Sequence, residues 1–133
     1  MRLDGIDQMS EVMRALYDRE FRAIAAILSE ESELRGQLHR LTEQVSQNRE
    51  ACTNNHMIQA VGAQLLWQGW TTRMHRRLNT ELAQVMARKL VAMDRIRIAF
   101  GRQRAVEMMQ SFEQIKARTR RIRRQEINLH SLN

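Results

Sequence analysis

Cys52 and His56 are residue types that ligate metal ions, and their spacing of four could place both on one face of a helix. A structural zinc site needs about four ligands, and no second pair accompanies these two. We therefore interpret both as turn residues. His39, His75 and His130 are scattered, and the sequence shows no Ser-His-Asp or Cys-His constellation and no glycine-rich phosphate loop. We expect no enzyme activity, no metal site and no cofactor.

The densest aromatic cluster contains Trp67 and Trp70, with Met74 and Leu78 further along the same stretch. Side chains three residues apart diverge by roughly 60° on a helix, so these side chains cannot all point inward. One interpretation is that the tryptophans close a helix–helix seam near a turn. The other is a partly exposed binding surface, because tryptophan is enriched at such surfaces.

Six cationic residues cluster between residues 116 and 124, and the acidic residues near them are only Glu107, Glu113 and Glu126. They are Lys116, Arg118, Arg120, Arg121, Arg123 and Arg124. An apolar row lies along the same stretch, formed by Met109, Phe112, Ile115, Thr119 and Ile122. Four interpretations remain open: the stretch is a solvated face, it binds nucleic acid, it lies on an anionic membrane, or it enters an acidic channel or groove of a protein.

These residues must be positioned by long helices, because the 133-residue chain contains no proline and only one stretch, 52–56, reads as a turn. The pattern predicts an all-α fold: an antiparallel two-helix coiled-coil hairpin whose second helix is longer. We expect a single domain, 1–133, with a first helix at about 5–50, a turn at about 51–57 and a second helix at about 58–126. Such a hairpin would be a rod that works by binding.

The first arm carries a heptad-like stripe, in which an apolar residue or Glu20 recurs every seven residues from Ile6 to Leu41. Ile24, Leu38 and Val45 occupy the complementary positions. On the second arm we expect an inner face that includes Leu65, Trp67, Trp70, Met74, Leu78, Leu82, Val85, Met93, Ile96, Phe100, Val106, Met109, Phe112 and Ile122. Lys89 and Gln103 interrupt that face.

The two arms differ in charge, with a net charge of −3 over residues 1–52 and +10 over residues 53–133. A chain that folds back near residue 54 places residue i roughly opposite residue 108 − i. This register predicts that Asp4 faces Arg104, that Glu20 faces Arg88 and that Glu31 faces Arg77. It also leaves about thirty residues of the second arm unpaired after residue 102, a length of roughly 45 Å if helical.

The single cysteine excludes an internal disulfide, which suits a reducing compartment. The first residues lack an apolar run with a cleavage pattern, and no window approaches the roughly 20 apolar residues of a membrane span. We expect a cytoplasmic protein without membrane insertion, peripheral at an inner membrane only through partners.

Two stretches carry a resemblance to a known family. Residues 65–74, LLWQGWTTRM, have an aromatic residue, a second one three later and an aliphatic one four further, and residues 95–109, RIRIAFGRQRAVEMM, form a charged segment leading to an apolar pair. With the two-arm architecture, these stretches resemble the FliJ/SctO stalk proteins of bacterial type III protein export, whether flagellar or injectisome. Gly62, Gly69 and the short turn depart from the family pattern.

The resemblance implies a non-enzymatic stalk that couples a hexameric export ATPase to the export gate. The basic residues from Lys116 to Arg124 would face the ATPase, and Trp67, Trp70, Met74 and Leu78 would bind the cytoplasmic domain of the export-gate membrane protein. Export chaperones are further candidate partners. The alternatives are a small basic helical protein that binds nucleic acid, which we do not favour, and a generic coiled-coil adaptor.

Overall fold

The computed structural model describes residues 2–54 and 60–132, and nearly all of these residues are helical. Helix α1 spans Arg2–Asn54 and helix α2 spans Ala60–Ser131. The two helices pack against each other in antiparallel orientation, which confirms the predicted hairpin with a longer second helix. Of the expected turn at 51–57, residues 51–54 belong to α1 and residues 55–57 lie outside the described residues.

Helix α1 follows the heptad pattern closely. Its buried and half-buried side chains recur at alternating steps of four and three from Ile6 to Asn48, with Gly36 and Gln37 as additions. The predicted apolar stripe is confirmed, and Glu20 indeed lies within it, half-buried. The complementary row also contains Ser10 and Glu31, both buried, which the apolar pattern alone did not select.

The inner face of α2 differs from the prediction. Several side chains expected inside are exposed: Leu65, Trp70, Met93, Phe100, Met109, Phe112 and Ile122. The inner positions are instead held by many small or polar residues, among them Thr71, Lys89, Ala92, Ala99, Gln103 and Gln110. The prediction was wrong there because apolar residues occupy both faces of this helix. It was right for Trp67, Met74, Leu78, Leu82, Val85, Ile96 and Val106.

The inner row of α2 also contains a change of phase. From Met74 the next inner positions are Leu78 and Leu82, two successive steps of four residues, after which steps of three and four alternate as far as Ala117. Such an insertion into a heptad pattern is a stutter, and it locally unwinds a coiled coil. Both Glu81 and Leu82 are half-buried at this point, as expected where the seam passes between adjacent positions.

The chain divides into two compact units, each made of one piece of each helix. In the unit Ile24–Ala92, Arg88 forms an ion pair with Glu30 at 2.6 Å and Lys89 forms one with Glu31 at 3.0 Å. In the unit formed by Met1–Ala23 and Met93–Asn133, the ring centroids of Tyr17 and Phe100 are 5.9 Å apart. There Gln110 donates a hydrogen bond to the Asp7 carboxylate.

These contacts correct the predicted register. Glu31 contacts Lys89 rather than Arg77, and Arg88 contacts Glu30 rather than Glu20. Arg77 pairs with Glu81 and Arg104 with Glu107, both within α2. The observed partners have residue numbers that sum to between 117 and 121 rather than 108. A shift in this direction is expected because α1 continues to Asn54 and α2 begins only at Ala60.

Candidate interaction surfaces

The aromatic pair predicted as a binding surface lies in the first turns of α2. The indole rings of Trp67 and Trp70 stack with their centroids 5.3 Å apart and an interplanar angle of 24°. Trp67 is half-buried in the seam, whereas Trp70 is 40% exposed. The structure thus combines the two interpretations of this pair, because one indole helps to close the seam and stacks on a second one that reaches solvent.

The other two predicted gate-binding residues lie farther inside. Met74 is half-buried, and Leu78 is among the most buried side chains of the described residues, at 4% exposure. Leu66, one turn before Trp70 on the same side of the helix, and its neighbour Leu65 are largely exposed. Leu65 was expected on the inner face, and Leu66 was not among the expected binding residues. The apolar surface at this end of α2 therefore contains Leu65, Leu66 and Trp70, with Trp67 behind them.

A cleft of about 430 Å³ lies between the helices beside the stacked indoles. Helix α1 contributes Val45 and Arg49, and helix α2 contributes Trp67, Thr71 and His75 among others. The Thr71 hydroxyl is turned back to its own helix, where it donates a hydrogen bond to the Gln68 carbonyl at 3.0 Å. The cleft holds no cluster of metal-ligating groups, and none occurs elsewhere in residues 2–54 and 60–132.

The cysteine and histidines that were considered for metal ligation or catalysis form no described contact with one another. Cys52 lies in the last turn of α1 and His56 lies outside the described residues. His39 pairs with Glu43 at 3.1 Å on the same helix, and His75 lines the cleft. His130 lies in the last turn of α2, where a cation is favourable to the helix dipole.

A polar cluster lies in the seam between the middle of α1 and the middle of α2. The Lys89 ammonium lies 3.0 Å from one Glu31 oxygen, and the Arg35 guanidinium lies 3.1 Å from the other. The hydrogen bond from Lys89, with a smaller one from Arg35, outweighs the effect of burial and lowers the pKa of the Glu31 carboxyl below its ordinary value of 4.5. The sequence marked Lys89 as an interruption of the inner face, but the predicted register placed Glu31 opposite Arg77 rather than Lys89.

The basic residues divide into a paired and an unpaired group. The Lys116 ammonium lies 4.6 Å from the centre of the Phe112 ring and 4.0 Å from a Glu113 oxygen. Arg120 also approaches Glu113, at 4.0 Å. By contrast, Arg118, Arg121, Arg123 and Arg124 take part in no ion pair within the part of the chain that the structure describes.

The unpaired arginines lie where α1 no longer covers α2. The last half-buried side chain is that of Ala117, and every described side chain from Arg118 to Leu132 is exposed. The uncovered helix is therefore shorter than the roughly thirty residues predicted. It runs from 118 to Ser131, which corresponds to roughly 21 Å of helix.

This end of α2 can bind a polyanionic surface through several guanidinium groups at once, since each presents a planar fork of donors. No described helix is long and apolar enough to cross a bilayer. Compared with protein-family models, curated proteins and solved structures, the chain matches none of them.

Proposed function

We propose that this protein is a non-enzymatic stalk of a type III protein export apparatus, which binds a hexameric export ATPase through the basic end of α2. The observation that carries the proposal is the uncovered segment from Arg118 to Ser131, with four arginines that have no acidic partner within the described residues. Exposed cations on an isolated helix repel one another, so an acidic surface that surrounds them is a favourable partner.

The proposed fit is electrostatic rather than close in shape. One asymmetric helix inside a six-fold ring cannot make six identical contacts, so a tightly complementary interface would form with one subunit only. Complementary potentials act over roughly a Debye length, about 8–10 Å at physiological salt, and guide the segment without demanding one geometry. This property suits a shaft that must be held while the subunits around it change state.

The second half of the proposal concerns the export gate. The exposed apolar surface of Leu65, Leu66 and Trp70 is supported as a contact by its composition, since partly exposed tryptophan is typical of binding hot spots. The resemblance assigns this role to Trp67, Trp70, Met74 and Leu78. Of these, Trp70 is the most accessible, and Leu78 would act by holding α2 in place.

The test is the ATP turnover of a purified hexameric export ATPase with and without this protein. We expect the protein to raise turnover, and the variant with Arg120, Arg121, Arg123 and Arg124→Glu to lose this effect. The control variant carries the same charge change at Arg40, Arg73, Arg76 and Arg77, all exposed in the unit Ile24–Ala92, and should retain it. Unchanged stimulation by the first variant would refute the proposed role of the basic end.

The four unpaired arginines also favour a second candidate, non-specific binding of nucleic acid. Neutralising several phosphates makes such affinity fall steeply between about 50 and 200 mM salt. Filter binding with duplex DNA distinguishes the candidates: retention at low salt without any stimulation of the ATPase would favour nucleic acid. No retention at low salt would dismiss it.

A further inference from the structure

Helix α2 carries a second apolar seam on the side that faces away from α1. Its members recur at steps of four and three residues: Met108, Phe112, Ile115, Thr119, Ile122 and Leu129, with Glu126 as the only charged member. The inner row in the same region includes Val106, Gln110, Glu113 and Ala117, so the two rows are offset by two residues. Two residues correspond to about 200° around a helix, which places the rows on opposite faces.

No part of residues 2–54 and 60–132 covers this outer seam. The side chains of Met108, Phe112, Ile115, Ile122 and Leu129 are each about half or more exposed. Alternation of three- and four-residue steps over three heptads is the pattern by which one helix packs along another. The intramolecular hairpin uses only the inner row, so the outer row has the periodicity of a coiled coil without its partner helix.

The charges beside the outer seam select the kind of helix that fits it. The flanking positions carry Arg104 and Arg118 on one side and Lys116 and Arg123 on the other, with no acidic residue on either flank between residues 102 and 130. A second copy of this chain would place cations against cations in either orientation, because flanking residues face each other across a coiled coil. A helix whose flanking positions are glutamate or aspartate would instead form ion pairs on both sides.

We propose that the outer seam of α2 binds a single amphipathic helix with acidic flanks, supplied by another protein, and so forms a local three-helix packing. This surface is distinct from a diffuse contact of arginines with an acidic channel, because it requires the apolar row as well as the charges. The proposal does not depend on the export ATPase: the seam can bind such a helix whether or not the protein stimulates ATP turnover.

The experiment uses the full chain and two synthetic amphipathic peptides of about four heptads, alike in their Leu and Ile seam positions but with either Glu or Lys at the flanks. Isothermal titration is expected to show binding of the Glu peptide only. The Ile115→Asp/Ile122→Asp variant should bind it at least about tenfold more weakly, because charged residues then interrupt the apolar row. Circular dichroism of each variant checks that the hairpin remains folded.

Two matched charge variants distinguish binding along the outer seam from general charge attraction of the peptide. Arg118→Glu/Arg123→Glu reverses two flanking charges, whereas Arg121→Glu/Arg124→Glu makes the same change off the seam. We expect the first variant to bind the Glu peptide roughly tenfold more weakly and to gain binding of the Lys peptide. The second variant should change the affinity for the Glu peptide by no more than about threefold.

Three outcomes would overturn the proposal. If the two charge variants lose equal affinity for the Glu peptide, the peptide is held by general charge attraction and not by the outer seam. A dimer of the chain alone in sedimentation velocity, lost on Ile115→Asp/Ile122→Asp, would show that a second copy covers the row. The third outcome has two parts: the native chain does not bind the Glu peptide, and the native chain and the Ile115→Asp/Ile122→Asp variant bind duplex DNA equally well. This result would assign the basic end of α2 to nucleic acid.

Discussion

The middle and the C-terminal end of α2 belong to one continuous helix but have different surroundings. Between Leu78 and Ala92 the helix is packed against α1, its lysine is paired across the seam and Val85 is 3% exposed. Beyond Ala117 the same helix has no packing partner, and its isoleucines and arginines are exposed. One continuous helix is therefore packed against α1 in one part and uncovered in another.

The largest expected effect comes from removing buried side-chain volume in the covered part. Leu78→Ala should lower the free energy of unfolding by about 2–4 kcal/mol, since it deletes a side chain that is only 4% exposed. Ile122→Ala, in the uncovered part, should change it by less than about 0.5 kcal/mol. Urea unfolding followed by circular dichroism measures both. If the two variants lose similar amounts of unfolding free energy, the two regions are not packed differently.

A smaller effect is expected from the ion pair in the seam. Lys89→Met should destabilise the hairpin, because it removes the main partner of the Glu31 carboxylate, which is 8% exposed. Arg88→Met is the matched control: it breaks the neighbouring but exposed pair with Glu30, and such pairs contribute only about 0–1 kcal/mol. In thermal unfolding, the melting temperature of Lys89→Met should be clearly lower than that of Arg88→Met. The reverse order would contradict a structural role for the buried pair.

The smallest effect is a pH dependence that arises from Glu31. Its pKa is lowered in the folded state, so its contribution to stability is present above the ordinary value of 4.5 and is lost as the pH falls through the folded value. Glu31→Gln should therefore reduce the drop in unfolding free energy between pH 7 and pH 3. Urea unfolding at both pH values measures this. An unchanged drop would show that Glu31 does not titrate with folding.

The fold class was predictable from the sequence because its evidence is local. The regular recurrence of apolar residues from Ile6 to Leu41 predicts a long amphipathic helix, and the absence of proline leaves that helix uninterrupted. Helix α2 was harder, since Leu90 and Ile98 lie on its outer side while Lys89 and Gln103 lie on its inner side. Periodicity cannot assign the inner face of a helix that is apolar on two sides.

The register could not be predicted because it depends on where the chain reverses, and an error of a few residues there displaces every pair. That displacement hid the contact of Glu31 with Lys89 and exaggerated the length of the uncovered helix. The identity of the basic residues, from Lys116 to Arg124, was visible in the sequence alone. Which of them pair with Glu113 required side-chain geometry.

Hydrogen exchange would show whether the basic end of α2 is uncovered and available to a partner. We expect fast amide exchange over residues 118–131 and slow exchange over residues 98–113 in the protein alone, because a helix without packing partners opens readily. We also expect the export ATPase to slow exchange over residues 118–131. Equal protection of both segments in the protein alone, or no change when the ATPase is added, would contradict these expectations.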